Sequence, residues 1–165
     1  MNAAAEHWIR ALGLAAHPEG GWFREVFRSP ERVPASALPA RFGGERSLAT
    51  SILYMLVAGE RSRFHRLRAD ELWNHHWGHE MVLHLLERGG ARMEVVGPGL
   101  PPVLVPHGTW FAAVPGGELA VVGCLVSPGF EFEDFELAER ERLLAEFPNE
   151  RDLVTHFTPQ PEERP

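Results

Sequence analysis

The spacing of apolar positions changes along the chain, and each change predicts an element. Between Ala3 and Leu14, the residues Ala5, Trp8, Ile9 and Leu12 fall on one stripe, the pattern of a short amphipathic helix. Gly13 and then Pro18 end it. After Gly20-Gly21 the period drops to two. Trp22, Arg24, Val26 and Arg28 alternate with Phe23, Glu25 and Phe27, as in a strand contacted on both faces. Residues 29–44 hold three prolines and two glycines and predict a long loop, a kind of segment that often carries function.

From Ser47 to Val126 the chain breaks into short strand candidates: Leu48–Val57, Ser62–Leu67, Glu71–Trp77, Met81–Leu86, Arg92–Val96, Val103–Val105, Thr109–Val114 and Leu119–Leu125. Turn clusters separate them, among them Gly59-Glu60, Gly89-Gly90, Gly97-Pro98-Gly99 and Pro115-Gly116-Gly117. Evenly spaced short strands with Gly/Pro turns predict a β-sandwich or barrel. A last extended segment is expected at Phe130–Phe135. A helix follows over residues 136–147, stopped by Pro148, and the tail from Thr158 is expected to fray. The expectation is one all-β domain with short flanking helices.

At 165 residues the chain has the length of one domain. Sixteen Lys and Arg against 23 Asp and Glu give a net charge of −7, which argues against nucleic acid as a partner. No apolar run approaches the roughly 20 residues of a membrane helix. Polar residues Glu6, His7 and Arg10 precede any sustained apolar stretch, so no signal peptide is expected and the simplest location is the cytoplasm. The single Cys124 excludes an internal disulfide framework, and its apolar neighbours predict a buried, inert thiol.

Candidate chemistry concentrates in one stretch. Six of the nine histidines lie between His65 and His107. If residues 67–70 form a hairpin-like turn, period two puts His65 and Glu71 opposite each other on one face, continued by Trp73 and His75. A face with Glu, His and Trp inside a barrel suits a ligand pocket, because a buried carboxylate is costly unless it is paired. A purely structural pairing of Glu71 and His65 with each other, or with Arg66 or Arg68, stands beside that reading. His76, His79, His84 and His107 read as surface or turn residues. Tyr54, the only tyrosine, sits on a neighbouring strand candidate as a possible proton donor or a core aromatic. Trp73 and Phe111 offer stacking surfaces for a ligand. Arg24, Arg28 and Arg46 read as surface charges that could also meet an anionic ligand.

These residues carry a resemblance. His65, Glu71 and Gly78 follow the first cupin motif, and Pro106-His107-Gly108-Thr109-Trp110-Phe111 follows the second. The segments His17-Pro18-Glu19-Gly20-Gly21-Trp22-Phe23, Phe64-His65, Asp70-Glu71-x-Trp73 and Ser127-Pro128-Gly129-Phe130-x-Phe132-x-Asp134-Phe135 are similar to cupin family five. The likeness runs from about residue 10 to residue 148. It implies a double-stranded β-helix (cupin jelly roll) and a homodimer, without an established activity. The cupin metal cage of three His and one Glu is reduced here, because Leu67 stands at its second histidine and Phe111 at the histidine of the second motif. His65 and Glu71 alone leave a transition metal under-coordinated. His75 lies roughly 13 Å along the strand from Glu71, too far to join it on one ion.

No cofactor is therefore expected, and a small-molecule ligand is the expected partner. The leading expectation is a metal-independent cupin that binds a small polar or carbohydrate-like ligand, with an isomerase- or epimerase-like activity. In it His65 acts as general base oriented by Glu71, Tyr54 is the acid, and Trp73, His75 and Phe111 bind ligand. One alternative is a metal-dependent dioxygenase or isomerase holding a divalent transition metal through His65 and Glu71. The other is a non-catalytic dimeric sensor or scaffold.

Overall fold

The computed structural model describes residues 3–159. Helix α1 (Ala3–Leu12) leads into β1 (Ala15–Ala16) and β2 (Trp22–Arg28). The expected long loop contains β3 (Arg32–Val33) and a short 3-10 turn, and β4 (Arg46–Ser47) follows it. Then follow β5 (Thr50–Val57), β6 (His65–Leu67), β7 (Asp70–Gly78), β8 (Met81–Glu87), β9 (Gly90–Val96), β10 (Val103–Val105), β11 (Trp110–Pro115), β12 (Leu119–Ser127) and β13 (Phe135–Leu137). Helices α2 (Arg140–Glu146) and α3 (Arg151–Phe157) close the chain. Among these residues, no helix is long and apolar enough to cross a membrane.

Two antiparallel sheets face each other as a double-stranded β-helix. One has the order β1-β2-β5-β12-β7-β10, the other β13-β6-β11-β8-β9. Their inner faces meet in an apolar core built on Leu56, Met81, Leu83, Leu85, Phe111 and Val122. The outer faces are covered as well. Ala5, Trp8, Ile9 and Leu12 of α1 lie on Met55, Val57, Leu119 and Val121. Leu143, Val154 and Phe157 of the C-terminal helices cover Phe64, Leu86, Trp110 and Ala112. Strands β5 and β12 are thus buried on both faces, which is why their sequences read as continuous apolar runs rather than as alternation.

Several local expectations are corrected. The segment expected to extend over Phe130–Phe135 contains a 3-10 turn at Phe132–Asp134, because Asp134 turns inward to bond Arg46. The single helix expected over residues 136–147 begins only at Arg140, since residues 135–137 pair with β6 as β13. Of the tail expected to fray, residues 160–165 lie outside the described part. Thr158 itself is buried, with its hydroxyl donating to the Val154 carbonyl at 2.7 Å.

The largest correction concerns β6 and β7. They are not a hairpin. β6 pairs with β11 and β13, whereas β7 pairs with β10 and β12 in the other sheet. The two residues between them carry the chain from one sheet to the other, so His65 and Glu71 project into the barrel from opposite walls.

Candidate active site

One end of the barrel is filled by the apolar core. The other holds a cavity in which the centre of a water-sized molecule ranges over about 90 Å³. Its inner part is lined by His17, Glu19, Tyr54, His65, Glu71 and Trp73. Glu25, Arg28, Glu131 and the largely exposed Phe132 form the mouth.

His65 fixes the logic of the inner part. Its Nδ1 lies 2.7 Å from the Arg63 carbonyl oxygen, which can only accept, so Nδ1 carries a proton and donates. Its Nε2 points at Glu19 Oε2, 3.1 Å away. Both side chains are buried. Desolvation lowers the His65 pKa to about 3, opposed by the Arg63 carbonyl and reinforced by His17. Burial raises the Glu19 carboxyl well above its ordinary value, the Glu71 charge raises it further, and Tyr54 and Arg63 pull against them. At neutral pH the arrangement is therefore a neutral imidazole whose Nε2 accepts a hydrogen bond from protonated Glu19. One proton sits between the two atoms.

His17 completes this wall. Its Nδ1 accepts the backbone N–H of Glu19 at 3.3 Å and lies 3.4 Å from Glu19 Oε2. The ring stands edge-on to Phe23, with centroids 4.6 Å apart, and burial lowers its pKa to about 4. What aims Glu19 inward is the glycine pair after it. Gly20 and Gly21 have φ of 109° and 73°, where side chains are strained. A Cβ on Gly20 would lie 2.4 Å from the Arg61 carbonyl oxygen, and one on Gly21 would lie 2.6 Å from Leu56. The loop thus passes closer to the barrel than any residue with a side chain allows.

Glu71 enters from the opposite wall. Desolvation raises its pKa to about 7, while the neighbouring Trp73 indole and Cys124 thiol hold it down. Its Oε2 is buried without a hydrogen-bond partner, and so is the Trp73 indole nitrogen. Each such orphan costs about 1–3 kcal/mol, so the wall keeps one acceptor and one donor in reserve. Cys124 also lines the cavity. Burial, then the charges of Glu71 and Glu19, raise its pKa well above the usual thiol range, which keeps it protonated.

The remaining expected site residues divide. Tyr54 is in the cavity, but its hydroxyl donates to the Gly20 carbonyl at 2.8 Å, and burial beside Glu19 raises its pKa well above the ordinary value. The hydroxyl also lies against the Glu19 carboxyl and helps to hold that group's pKa down. Phe111 sits behind His65 instead of lining the space. The two are register partners on β11 and β6, with ring centroids 4.1 Å apart. His75 is outside the cavity. A bulge between Val121 and Val122 absorbs an extra β7 residue beside it, and its Nε2 lies 3.1 Å from the His79 carbonyl. Arg24 is exposed, whereas Arg46 is buried in an ion pair with Asp134. Arg28 does reach the cavity mouth, where Glu25 and Glu131 already hold it.

Sequence reasoning assigned no chemistry to His17 and Glu19, although both stand in a quoted motif. The available signal was a Glu followed by two glycines and an aromatic strand, which marks a carboxylate carried by a backbone that must approach something closely.

The metal cage implied by the resemblance does not fit this donor set. Leu67 and Phe111 place hydrocarbon at two of its positions, and His65 Nε2 is turned to Glu19. Among the described residues, no three His, Cys, Asp or Glu side chains are grouped to hold a metal ion, whereas protein sites commonly supply three or four ligands.

Comparison with known proteins agrees with the fold. The family model described as cupin superfamily (DUF985) matches residues 6–138. A crystal structure of a protein from Shewanella oneidensis is 36% identical, with a TM-score of 0.82 over 96% of this chain and 98% of that one. A hypothetical protein from Leishmania major is 28% identical, with a TM-score of 0.84 over 94% of this chain and 99% of its own. Oxalate decarboxylase from Bacillus subtilis shares the fold, at 16% identity and a TM-score of 0.55 over 87% of this chain and 36% of the enzyme. No curated protein sequence matches the chain.

Proposed function

The chain belongs to the DUF985 family of the cupin superfamily, and from that premise and the cavity's donor set we propose that it is a metal-independent proton-transfer protein acting on a small polar ligand. The observation that carries this reading is the placement of titratable groups on two opposed walls. The His65–Glu19 pair lies on one and Glu71 on the other, in one cavity. Proton transfer is most efficient when the acid or base has a pKa near the working pH. Glu71, at about 7, meets that condition. Glu19, raised by burial and by the Glu71 charge, holds its proton as the acid, and neutral His65 Nε2 accepts its hydrogen bond until the ligand takes that proton. A ligand held between the walls loses a proton to one and regains one from the other, the requirement of an isomerase or epimerase. The different surroundings of the two carboxyls supply the division of roles: Glu19 faces the Glu71 charge and His65, whereas Glu71 is held down by the Trp73 indole and the Cys124 thiol. Phe23, Trp73 and Phe135 give apolar faces for the C–H side of a carbohydrate-like ligand.

The test follows C–H exchange in D2O by proton NMR, using hydroxy-aldehydes, hydroxy-ketones and sugars, first without EDTA and then after EDTA is added. The expected result is loss of a C–H signal next to a carbonyl, slowed at least about a hundredfold by His65→Gln or Glu71→Gln. Exchange that survives both substitutions, or that stops when EDTA is added, contradicts the proposal.

A further inference from the structure

The proposed activity leaves open what charge the ligand carries, and the cavity is one-sided in this respect. Four carboxyls line it, Glu19 and Glu71 inside and Glu25 and Glu131 at the mouth. Arg28 is the only Lys or Arg among the lining residues, and its guanidinium is already committed. It donates to Glu25 at 2.8 Å, to Glu131 at 2.9 Å and to the Phe130 carbonyl at 3.1 Å. An anionic ligand would displace those bonds and sit beside buried carboxyls. A cation meets the opposite situation.

The inner orphans sharpen this. Glu71 Oε2 is an acceptor with no partner, on a side chain that is more than nine-tenths buried and lines the cavity. Trp73 Nε1 is a donor in the same condition, two residues along the same strand face. Their Cα atoms are about 7 Å apart, and the indole lies near enough to the carboxyl to hold its pKa down, so both groups face one small space. The walls around them are aromatic: Phe23, Tyr54, Trp73, Phe130, Phe132 and Phe135. Ring faces attract cations, by about 0.5–2 kcal/mol each according to how far the pair is desolvated. Aromatic faces, an unpartnered carboxylate oxygen and the absence of a free cationic group together form a receptor for a small ammonium.

Resting on the reading of this cavity as a polar-ligand site, we infer that its ligand carries a protonated amine close to a hydroxyl or ether oxygen. The ammonium donates to Glu71 Oε2, and the oxygen accepts from the Trp73 indole N–H. The ligand class is the small amino alcohol, amino sugars included. Such a molecule satisfies both orphans at once, whereas a simple polyol leaves the carboxylate without a counter-charge.

The experiment is a calorimetric and ligand-observed NMR titration at pH 7 with two series of constant skeleton. One is 3-amino-1,2-propanediol, glycerol and glycerate; the other is glucosamine, glucose and glucuronate. The expected result is that the amine member binds at least tenfold more tightly than the neutral member in at least one series, and that the anion binds weakest. Glu71→Gln should remove most of that preference. Trp73→Phe should weaken amine and neutral members alike and leave the preference intact. Equal or tighter binding of the neutral or anionic member in both series overturns the inference, as does a preference that persists undiminished in Glu71→Gln. Binding of glucose or glycerol that depends on His65 but shows no amine preference defeats the charge assignment alone and leaves the proton-transfer reading standing. No binding in either series overturns the amine assignment, and the D2O exchange experiment then decides the other reading by itself.

Discussion

Arg46→Ala is expected to destabilise the protein by about 3–5 kcal/mol, the range for removing one partner of a buried ion pair. Arg46 is 1% exposed and Asp134 is 3% exposed. The guanidinium donates to both Asp134 oxygens, at 2.6 and 2.8 Å, and to the Glu45 carbonyl at 2.8 Å, with a further bond to Glu133. These contacts, led by the Asp134 hydrogen bonds, raise its pKa and keep it charged. Alanine leaves Asp134 buried without its fork of donors. The loss reaches the cavity too, because the pair fastens the segment that carries Phe130, Glu131, Phe132 and Phe135 to the long loop before β5. Urea unfolding of Arg46→Ala beside the double variant Arg46→Met/Asp134→Leu separates charge from volume. The double variant should regain most of the stability, since replacing a whole buried pair with apolar side chains is often neutral. A single variant within 1 kcal/mol of wild type, on the order of an exposed pair, contradicts this account.

Glu71→Gln is expected to change the pH dependence of stability rather than only its level. The folded pKa of about 7 lies above the ordinary 4.5. Between those values the folded state holds a proton that the unfolded state has released, so wild-type stability falls as pH rises through that window. Below 4.5 both states are protonated and nothing is lost. At about 1.4 kcal/mol per pH unit, the loss from pH 4.5 to about 7 comes to about 3 kcal/mol, and glutamine abolishes it. The histidines act on the acid side with the opposite sense. His17 and His65, lowered to about 4 and 3, stay neutral in the fold while the unfolded chain takes up protons below about 6.5. Their contribution is complete above 6.5 and declines as pH falls toward those folded values, and Glu71→Gln should leave that limb unchanged. Parallel wild-type and variant profiles between pH 4.5 and 8 rule out a buried, protonated Glu71.

The strand content was legible because Gly/Pro turns cut the chain at the points where the strands end. Which strand pairs with which was not. Only Arg68 and Ala69 separate β6 from β7, the spacing of a tight hairpin, and nothing local records that the chain crosses between sheets there. His65 and Glu71 were correctly read as inward-facing residues of one pocket, but as neighbours on one surface rather than as opposed walls. Trp73 followed from strict alternation, whereas His75 keeps that register opposite Val122, just before the bulge, but its ring lies against the Gly78 and His79 carbonyls instead of lining the cavity. Glu19 lies before the first long strand and reaches His65 only through the left-handed backbone at Gly20 and Gly21. Arg46 looked like a surface charge because its partner Asp134 is 88 residues away. Composition gave no hint that the acidic excess is partly internal.

The central claim is the single proton held between His65 Nε2 and Glu19, on the wall opposite Glu71. The most direct test is a nitrogen-15 NMR measurement of the histidine ring nitrogens at pH 7, with His65 assigned by comparison with His65→Gln. The account predicts a neutral His65 ring protonated at Nδ1, with Nε2 as acceptor, and a marked change at Nε2 in Glu19→Gln. A ring protonated at Nε2 alone, or a spectrum unmoved by Glu19→Gln, contradicts it.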